Sequence, residues 1–188
     1  MTAFIIGIIS IILALAVLMA AYLIILYNGL VKIRNMVHNS WYQIDVQLKR
    51  RYDLIPNLVE TVKAYASHER QVFENVTRAR AMAAQAGTME ERQNAENMLS
   101  GALKSLFAVA EAYPQLQASQ NFSQLQREMS DLESKIAFAR QFYNDTTMKY
   151  NTKIQTFPTN IFSSLLGFQY IPYFMAEEQA RNNIQVKF

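Results

Sequence analysis

The stretch FIIGIISIILALAVLMAAYLIIL, Phe4–Leu26, decides the architecture: 23 residues of aliphatic and aromatic character interrupted only by Gly7, Ser10 and Tyr22. As a helix it reaches ~35 Å, enough to cross the hydrocarbon core of a bilayer, with Phe4, Ile12, Leu18 and Leu26 marking its course. Two features separate it from a cleaved leader. Met1-Thr2-Ala3 supplies no basic flank, and the run exceeds the about 7–15 apolar residues of a leader. Tyr22 and Tyr27 fall where amphipathic rings suit the headgroup level, and Lys32 and Arg34 follow within one or two turns. The positive-inside rule then places the short N-terminus outside and the rest in the cytoplasm, giving a single-pass protein of the cell (inner) membrane.

Working outward, the 188 residues suffice for one compact domain and an appendage, not for a two-domain enzyme. Charged residues form 18% of the chain and hydrophobic ones 51%, which excludes intrinsic disorder and favours membrane association. The absence of cysteine removes disulfides, thiolate metal sites and thiol nucleophiles together. Five glycines and four prolines are too few for a turn-rich sheet protein, so long helices are expected. Between residues 32 and 52, Lys32, Arg34, Lys49, Arg50 and Arg51 face Asp45 alone, whereas from Asp53 onward 13 basic residues meet 14 acidic ones. Positive charge concentrated just past an apolar run reads as a topology signal or a contact with lipid phosphates. No basic and aromatic residues interleave in a nucleic-acid motif, so nucleic acid is not an expected partner.

After Asn28-Gly29, Ile33, Val37, Trp41, Ile44, Leu48 and Tyr52 recur at intervals of three and four, so the span runs on as an amphipathic helix. Pro56 predicts a break near Asp53 and the start of a second helix. That helix carries Leu58, Val62, Tyr65, Glu69, Val72, Val76, Ala79 and Ala83, a heptad-like seam holding one carboxylate. Gly87 reads as a C-cap glycine, and Thr88 with Glu91 as a capping box. A third helix follows from about Met89 to Ala112, with Met98, Leu99, Ala102, Leu106, Val109 and Tyr113 inward, ended by Pro114. The fourth runs from about Ser119 to Pro158 through Phe122, Leu125, Met129, Leu132, Ile136, Ala139, Tyr143 and Tyr150.

The expected fold is therefore all-α: a transmembrane anchor (1–30), an antiparallel bundle of long helices (31–157) and a tail (158–188). A coiled-coil homo-oligomer of the fourth helix is the competing arrangement. In the tail, Thr159 to Leu166 reads as a short helix and the remainder as an extended, irregular strap. Phe162, Phe168, Tyr170, Tyr173, Phe174 and Phe188 cluster there without a sustained period. They either cover the bundle or form a surface for a neighbouring copy or the membrane interface.

No reaction centre emerges. His38 and His68 belong to different helices, neither has a glutamate three residues before it, and His68-Glu69 lacks a second histidine at helical spacing. The isolated glycines Gly29, Gly87, Gly101 and Gly167 build no phosphate loop, and Glu128, Asp131 and Glu133 share their helix with Arg127 and Lys135 as a solvated face. Catalytic residues, metals and cofactors are accordingly not expected. Polar residues do crowd the seams: Asp45, Asp53 and Asn57 around the first turn beside Lys49, Arg50 and Arg51, then Glu69, Arg80, Arg140, Asn144 and Asn151 beside apolar stripes. They are either interhelical salt bridges and caps that fix register or a docking surface, and Glu69 is expected to find Arg140 or another seam arginine.

The runs WYQIDVQLKRRYDLIPNLVETVKAYASHE, Trp41–Glu69, and ARQFYNDTTMKYNTKIQTFPTNIF, Ala139–Phe162, closely resemble the LemA family, as does the layout from leading span to the terminal Val186-Lys187-Phe188. The resemblance implies an outward N-terminus, an N-terminal anchor and a cytoplasmic antiparallel bundle. It brings no defined activity; some relatives are linked to magnetosome membrane formation, and some are encoded beside membrane metalloproteases. Asp45, Arg50, Arg51, Asp53, Asn57, Arg140, Tyr143 and Asn144 match the family pattern, which assigns them no role. The expectation is a non-enzymatic anchored protein that self-associates and organises or shapes the membrane. Its partners are the lipid bilayer, met by Lys32, Arg34, Lys49, Arg50 and Arg51, and further copies of itself. Lys49 already lies ~30 Å beyond Gly29 along a straight helix. The alternative is an adaptor or regulator of another membrane protein, such as a membrane protease or an envelope-stress component.

Overall fold

A computed structural model describes residues 1–174. These form six helices and no strand: α1 Thr2–Lys63, α2 Arg70–Gln85, α3 Met89–Glu111, α4 Pro114–Gln117, α5 Gln120–Gln155 and α6 Thr159–Ser163. The chain divides into two compact units. One comprises 1–40 with 143–173, the other 41–142 with Phe174.

The N-terminal part of α1 is long and apolar enough to cross a membrane, and its most apolar window buries none of its residues against the protein. Side chains of that kind left uncovered suit lipid, which makes this segment a candidate membrane span. From Leu26 onward the apolar stripe finds protein. Leu26, Leu30 and Val37 are buried in the first unit with Tyr143, Tyr150, Ile154 and Phe168.

The second unit is an antiparallel helical bundle. Ile44, Leu48, Ile55 and Leu58 of α1, Val76 and Ala83 of α2, Leu99 and Leu106 of α3, Leu116 of α4 and Ile136 of α5 form its core. Each buried leucine or isoleucine stabilises it by about 1.5–3 kcal/mol. The small side chains Ala79, Ala83 and Ala95 lie buried where α2 packs on α3. Tyr65 and Met98, expected to face inward, are exposed.

Three local expectations change. Pro56 sits inside α1, which continues to Lys63, so the second helix begins only at Arg70. Proline has no N–H for the carbonyl of Tyr52 four residues back. Arg80 supplies the missing donor, its Nε lying 2.6 Å from the Tyr52 oxygen. Gly87 is not a left-handed cap: α2 ends at Ala86 in extended backbone, and among the described glycines only Gly167, at φ 76°, takes a positive φ. The Gly87 N–H instead joins the capping box, donating to Glu91 Oε2 at 3.0 Å beside the Thr88 N–H, while the Thr88 hydroxyl accepts from the Glu91 N–H. Those bonds hold the Glu91 carboxyl below its ordinary pKa. Finally, Pro114 opens the single turn α4 rather than only closing α3.

Candidate functional site

At the centre of the second unit α1 presents two adjacent side chains, Arg51 and Tyr52, because the positions flanking Leu48 and Ile55 face inward. Opposite them stands Glu96 of α3. Arg51 and Glu96 are both 0% exposed, and Arg51 Nη1 lies 3.3 Å from Glu96 Oε2. The same nitrogen is 3.1 Å from Glu133 Oε1 on α5, and Nη2 donates to Ser100 Oγ at 3.1 Å. Arg140 Nη2, also on α5, approaches Glu96 Oε2 at 3.7 Å. The Tyr52 hydroxyl donates to Glu96 Oε1.

Two guanidinium groups thus meet two carboxylates. Balance matters here, because a buried charge stripped of its partner costs about 3–5 kcal/mol. Burial, and behind it the hydrogen bond to Glu96, pushes the Tyr52 phenol well above its ordinary pKa, so it remains a neutral donor.

The network extends through aromatic rings. The Arg140 guanidinium stacks 4.5 Å from the Phe174 ring centroid, Phe174 lies 6.2 Å from Trp41, and Arg92 lies 5.6 Å from Trp41 on its way to an ion pair with Asp45. Cation–aromatic contacts of this kind contribute about 0.5–2 kcal/mol each. Among the described residues no three His, Asp or Glu side chains converge as a metal would require. The network's chemistry is that of register: α1, α3 and α5 are joined by directional charge pairs.

In the first unit the tail is held by a second device. Tyr150 donates to the Gln169 carbonyl at 2.9 Å and Tyr143 to the Pro172 carbonyl at 2.9 Å. Between them the Asn151 amide makes a two-way clamp, its Nδ2 donating to the Ile171 carbonyl at 2.8 Å and its Oδ1 accepting the Ile171 N–H at 3.1 Å. Burial raises the pKa of both tyrosines. Phe168 closes the unit, its ring 5.8 Å from Tyr27 and 5.0 Å from the Arg34 guanidinium.

The polar residues singled out in the sequence therefore separate. Arg140, Tyr143, Asn151 and Arg80 are bonding partners as described, and Asp45 pairs with Arg92. Asn144 is partly buried, whereas Lys49, Arg50, Asp53 and Asn57 are exposed. Arg51, expected among the lipid-facing cations, is enclosed by the bundle and cannot reach lipid. The expected pair of Glu69 with Arg140 or another seam arginine is not formed: Glu69 stands at the N-cap position of α2 without a side-chain cap bond, and a carboxylate that Arg140 approaches is Glu96. Of the tail aromatics, Phe168 and Phe174 are buried in their own chain, Phe162 and Tyr173 are half-buried, and Tyr170 is exposed. Phe188 lies outside the described residues. Glu96, Arg92 and Glu133 escaped the sequence reading as network members. Counting back from Leu99 in steps of three and four lands on Glu96 and Arg92, the one signal that marks them.

A candidate N-terminal span, a helical bundle locked by buried charge and, in the other unit, a tail segment clamped by α5 define a class of membrane-associated helical proteins. The family model for the LemA family matches residues 40–188, and the chain belongs to that family. It is 24% identical over 180 residues to magnetosome protein MamQ 2 of Paramagnetospirillum magneticum, an alignment covering 82% of this chain and 66% of that protein. It is equally 24% identical to magnetosome protein MamQ of Magnetospirillum gryphiswaldense, over 81% of this chain and 65% of the relative, so the chain spans just under two thirds of these relatives. Protein LemA of Metamycoplasma hominis is 26% identical over 161 residues, 84% of this chain and 72% of its own length.

Proposed function

We propose that this chain is a non-enzymatic scaffold of the inner membrane, N-terminus outside and bundle in the cytoplasm, that self-associates and so organises or shapes the bilayer that anchors it. The observation that carries this reading is a set of large apolar side chains exposed on α1 and α5 of the second unit, beside a charged cleft. Arg50, Asp53 and Leu54 of α1 adjoin Glu128, Asp131 and Leu132 of α5. Further along the same helices come Tyr42 and Val46 of α1 and Phe138 and Phe142 of α5. All four are exposed, Phe138 to 72%. Large apolar side chains left exposed favour association. The likeness to magnetosome proteins supports a role at a membrane. Full-length protein extracted in mild detergent should run as an assembly by light scattering, and Val46→Ser with Phe138→Ser should reduce its mass. A monomeric wild-type chain would sink the reading.

A second reading, an adaptor for another membrane protein, is favoured by the neighbouring cleft of about 390 Å³, where Arg50 faces Glu128 and Asp131 across charge of both signs. Crosslinking in cells should then recover a stoichiometric partner that Arg50→Glu loses. A self-only complex counts against it.

A further inference from the structure

We propose that residues 156–167, the turn between α5 and the strap, form a second membrane contact: an apolar wedge seated in the headgroup and upper acyl region of the leaflet where the N-terminal span ends. The inference rests on the anchor reading and is independent of self-association.

The path of the chain places this turn. In the first unit α5 runs antiparallel to α1: the Tyr150 phenol feels the Arg34 guanidinium, and Lys153, later in α5, meets Gly29, earlier in α1. A methyl group built on Gly29 would stand 2.9 Å from Lys153 Nζ. Heading onward, the chain passes Gly29 toward the span, turns, and returns at Phe168, whose ring contacts Tyr27 and Arg34. Everything between therefore lies on the span side of Gly29, beside the last turns of the run Phe4–Leu26. Consistent with that level, Leu26 is buried and Leu23 half-buried although both belong to the apolar run.

The chemistry of the turn fits lipid rather than water. Phe157 is 79% exposed and Leu165 81%, and Ile161 and Leu166 are exposed beside them. No charged residue occurs from Ile154 to Tyr173. Two hydroxyls of the turn are engaged by the end of α5, Ser163 Oγ donating to the Ile154 carbonyl at 3.0 Å and Thr156 Oγ1 to the Thr152 carbonyl at 2.8 Å, and the uncharged Thr159, Asn160 and Ser164 suit the headgroup level. Just behind the apolar tip stand Lys32, Arg34, Lys149 and Lys153, against Asp145 alone in the whole unit. An apolar tip ahead of a cationic belt is the pattern of segments that lie in the interface of an anionic leaflet. The belt equals the net +3 of the entire chain, so the excess charge of the protein sits where anionic headgroups would be.

The chain has no cysteine, so Leu165→Cys, Ile12→Cys and Ser134→Cys each create one labelling site in the full-length protein. Each is labelled with an environment-sensitive fluorophore and reconstituted into phosphatidylcholine vesicles containing phosphatidylglycerol. The label at 165 is expected to emit to the blue of that at 134 and to be quenched by a nitroxide attached near the lipid headgroup, while the label at 12 responds to a nitroxide deep in the acyl chains. Water-like emission at 165 with lipid quenching retained at 12 overturns the wedge alone. Water-like emission at 12 overturns the anchor and the wedge with it. Blue emission at 165 that resists lipid quenchers and reverts to water-like emission at one chain per vesicle assigns the turn to a second copy, and also overturns the proposal.

Discussion

Arg80 Nε lies 2.6 Å from the carbonyl oxygen of Tyr52, the acceptor that Pro56 leaves empty inside α1. A side chain of one helix thus completes the backbone ladder of another. A charged donor on a carbonyl contributes about 1.5–3 kcal/mol. Arg80→Met should cost an amount of that order in the native sequence. It should cost far less in a Pro56→Ala background, where the alanine N–H fills the carbonyl itself. Denaturation of the four proteins in detergent micelles gives the coupling, and equal costs in both backgrounds would refute it.

Glu96→Gln preserves shape but takes from Arg51 its fully buried counter-charge and from Arg140 a nearby carboxylate, leaving Arg51 the half-exposed Glu133. The expected loss is about 3–5 kcal/mol. Replacing both Arg51 and Glu96 by Met should recover much of it, since the core then carries one fewer unbalanced charge. A Glu96→Gln protein as stable as wild type would show that the carboxylate does not balance these arginines.

The buried phenols make stability sensitive to alkali. Tyr52, Tyr143 and Tyr150 hold folded pKa values above the ordinary phenol value of about 10. Their contribution is complete below that value and is lost as the pH climbs above it, because the unfolded chain ionises first. The melting temperature should fall steeply above about pH 10, and Tyr52→Phe should flatten that slope while lowering stability at neutral pH. An unchanged slope in the variant would exclude Tyr52 as a contributor.

Asn151→Leu removes both bonds to Ile171 at once. Hydrogen exchange of the Ile171 amide should accelerate markedly while exchange in α2 and α3 stays at wild-type rates. Tyr143→Phe, which removes a single acceptor contact at Pro172, should have the smaller effect on the strap. Wild-type protection of Ile171 in Asn151→Leu would mean that other contacts hold the segment.

The sequence was legible where one element carries its own signal. The three-and-four spacing from Ile33 to Tyr52, the Thr88–Glu91 box and the stripe from Phe122 to Tyr150 all report on local backbone, and the structure follows them. It was opaque where the deciding partner lies on another element. Pro56 reads as a break because nothing near it announces that Arg80 will cap its orphaned carbonyl. Glu69 looks like the seam carboxylate because it falls at a heptad position, yet the chain turns between residues 64 and 69 and Glu96 takes that part. Tyr143, Tyr150 and Asn151 could be flagged but not assigned, since their partners are main-chain atoms and main chain leaves no trace in composition.

The clamp grips the strap by Gln169 and Pro172 carbonyls and by both polar groups of the Ile171 peptide, so the side chains of Gln169, Tyr170 and Ile171 are not what is recognised. The segment is a handle whose grip is indifferent to its decoration. What the grip does fix is spacing: substitution at Gln169 leaves every one of these bonds in place, whereas adding or deleting a residue between Phe168 and Phe174 takes them out of step with Tyr150, Asn151 and Tyr143.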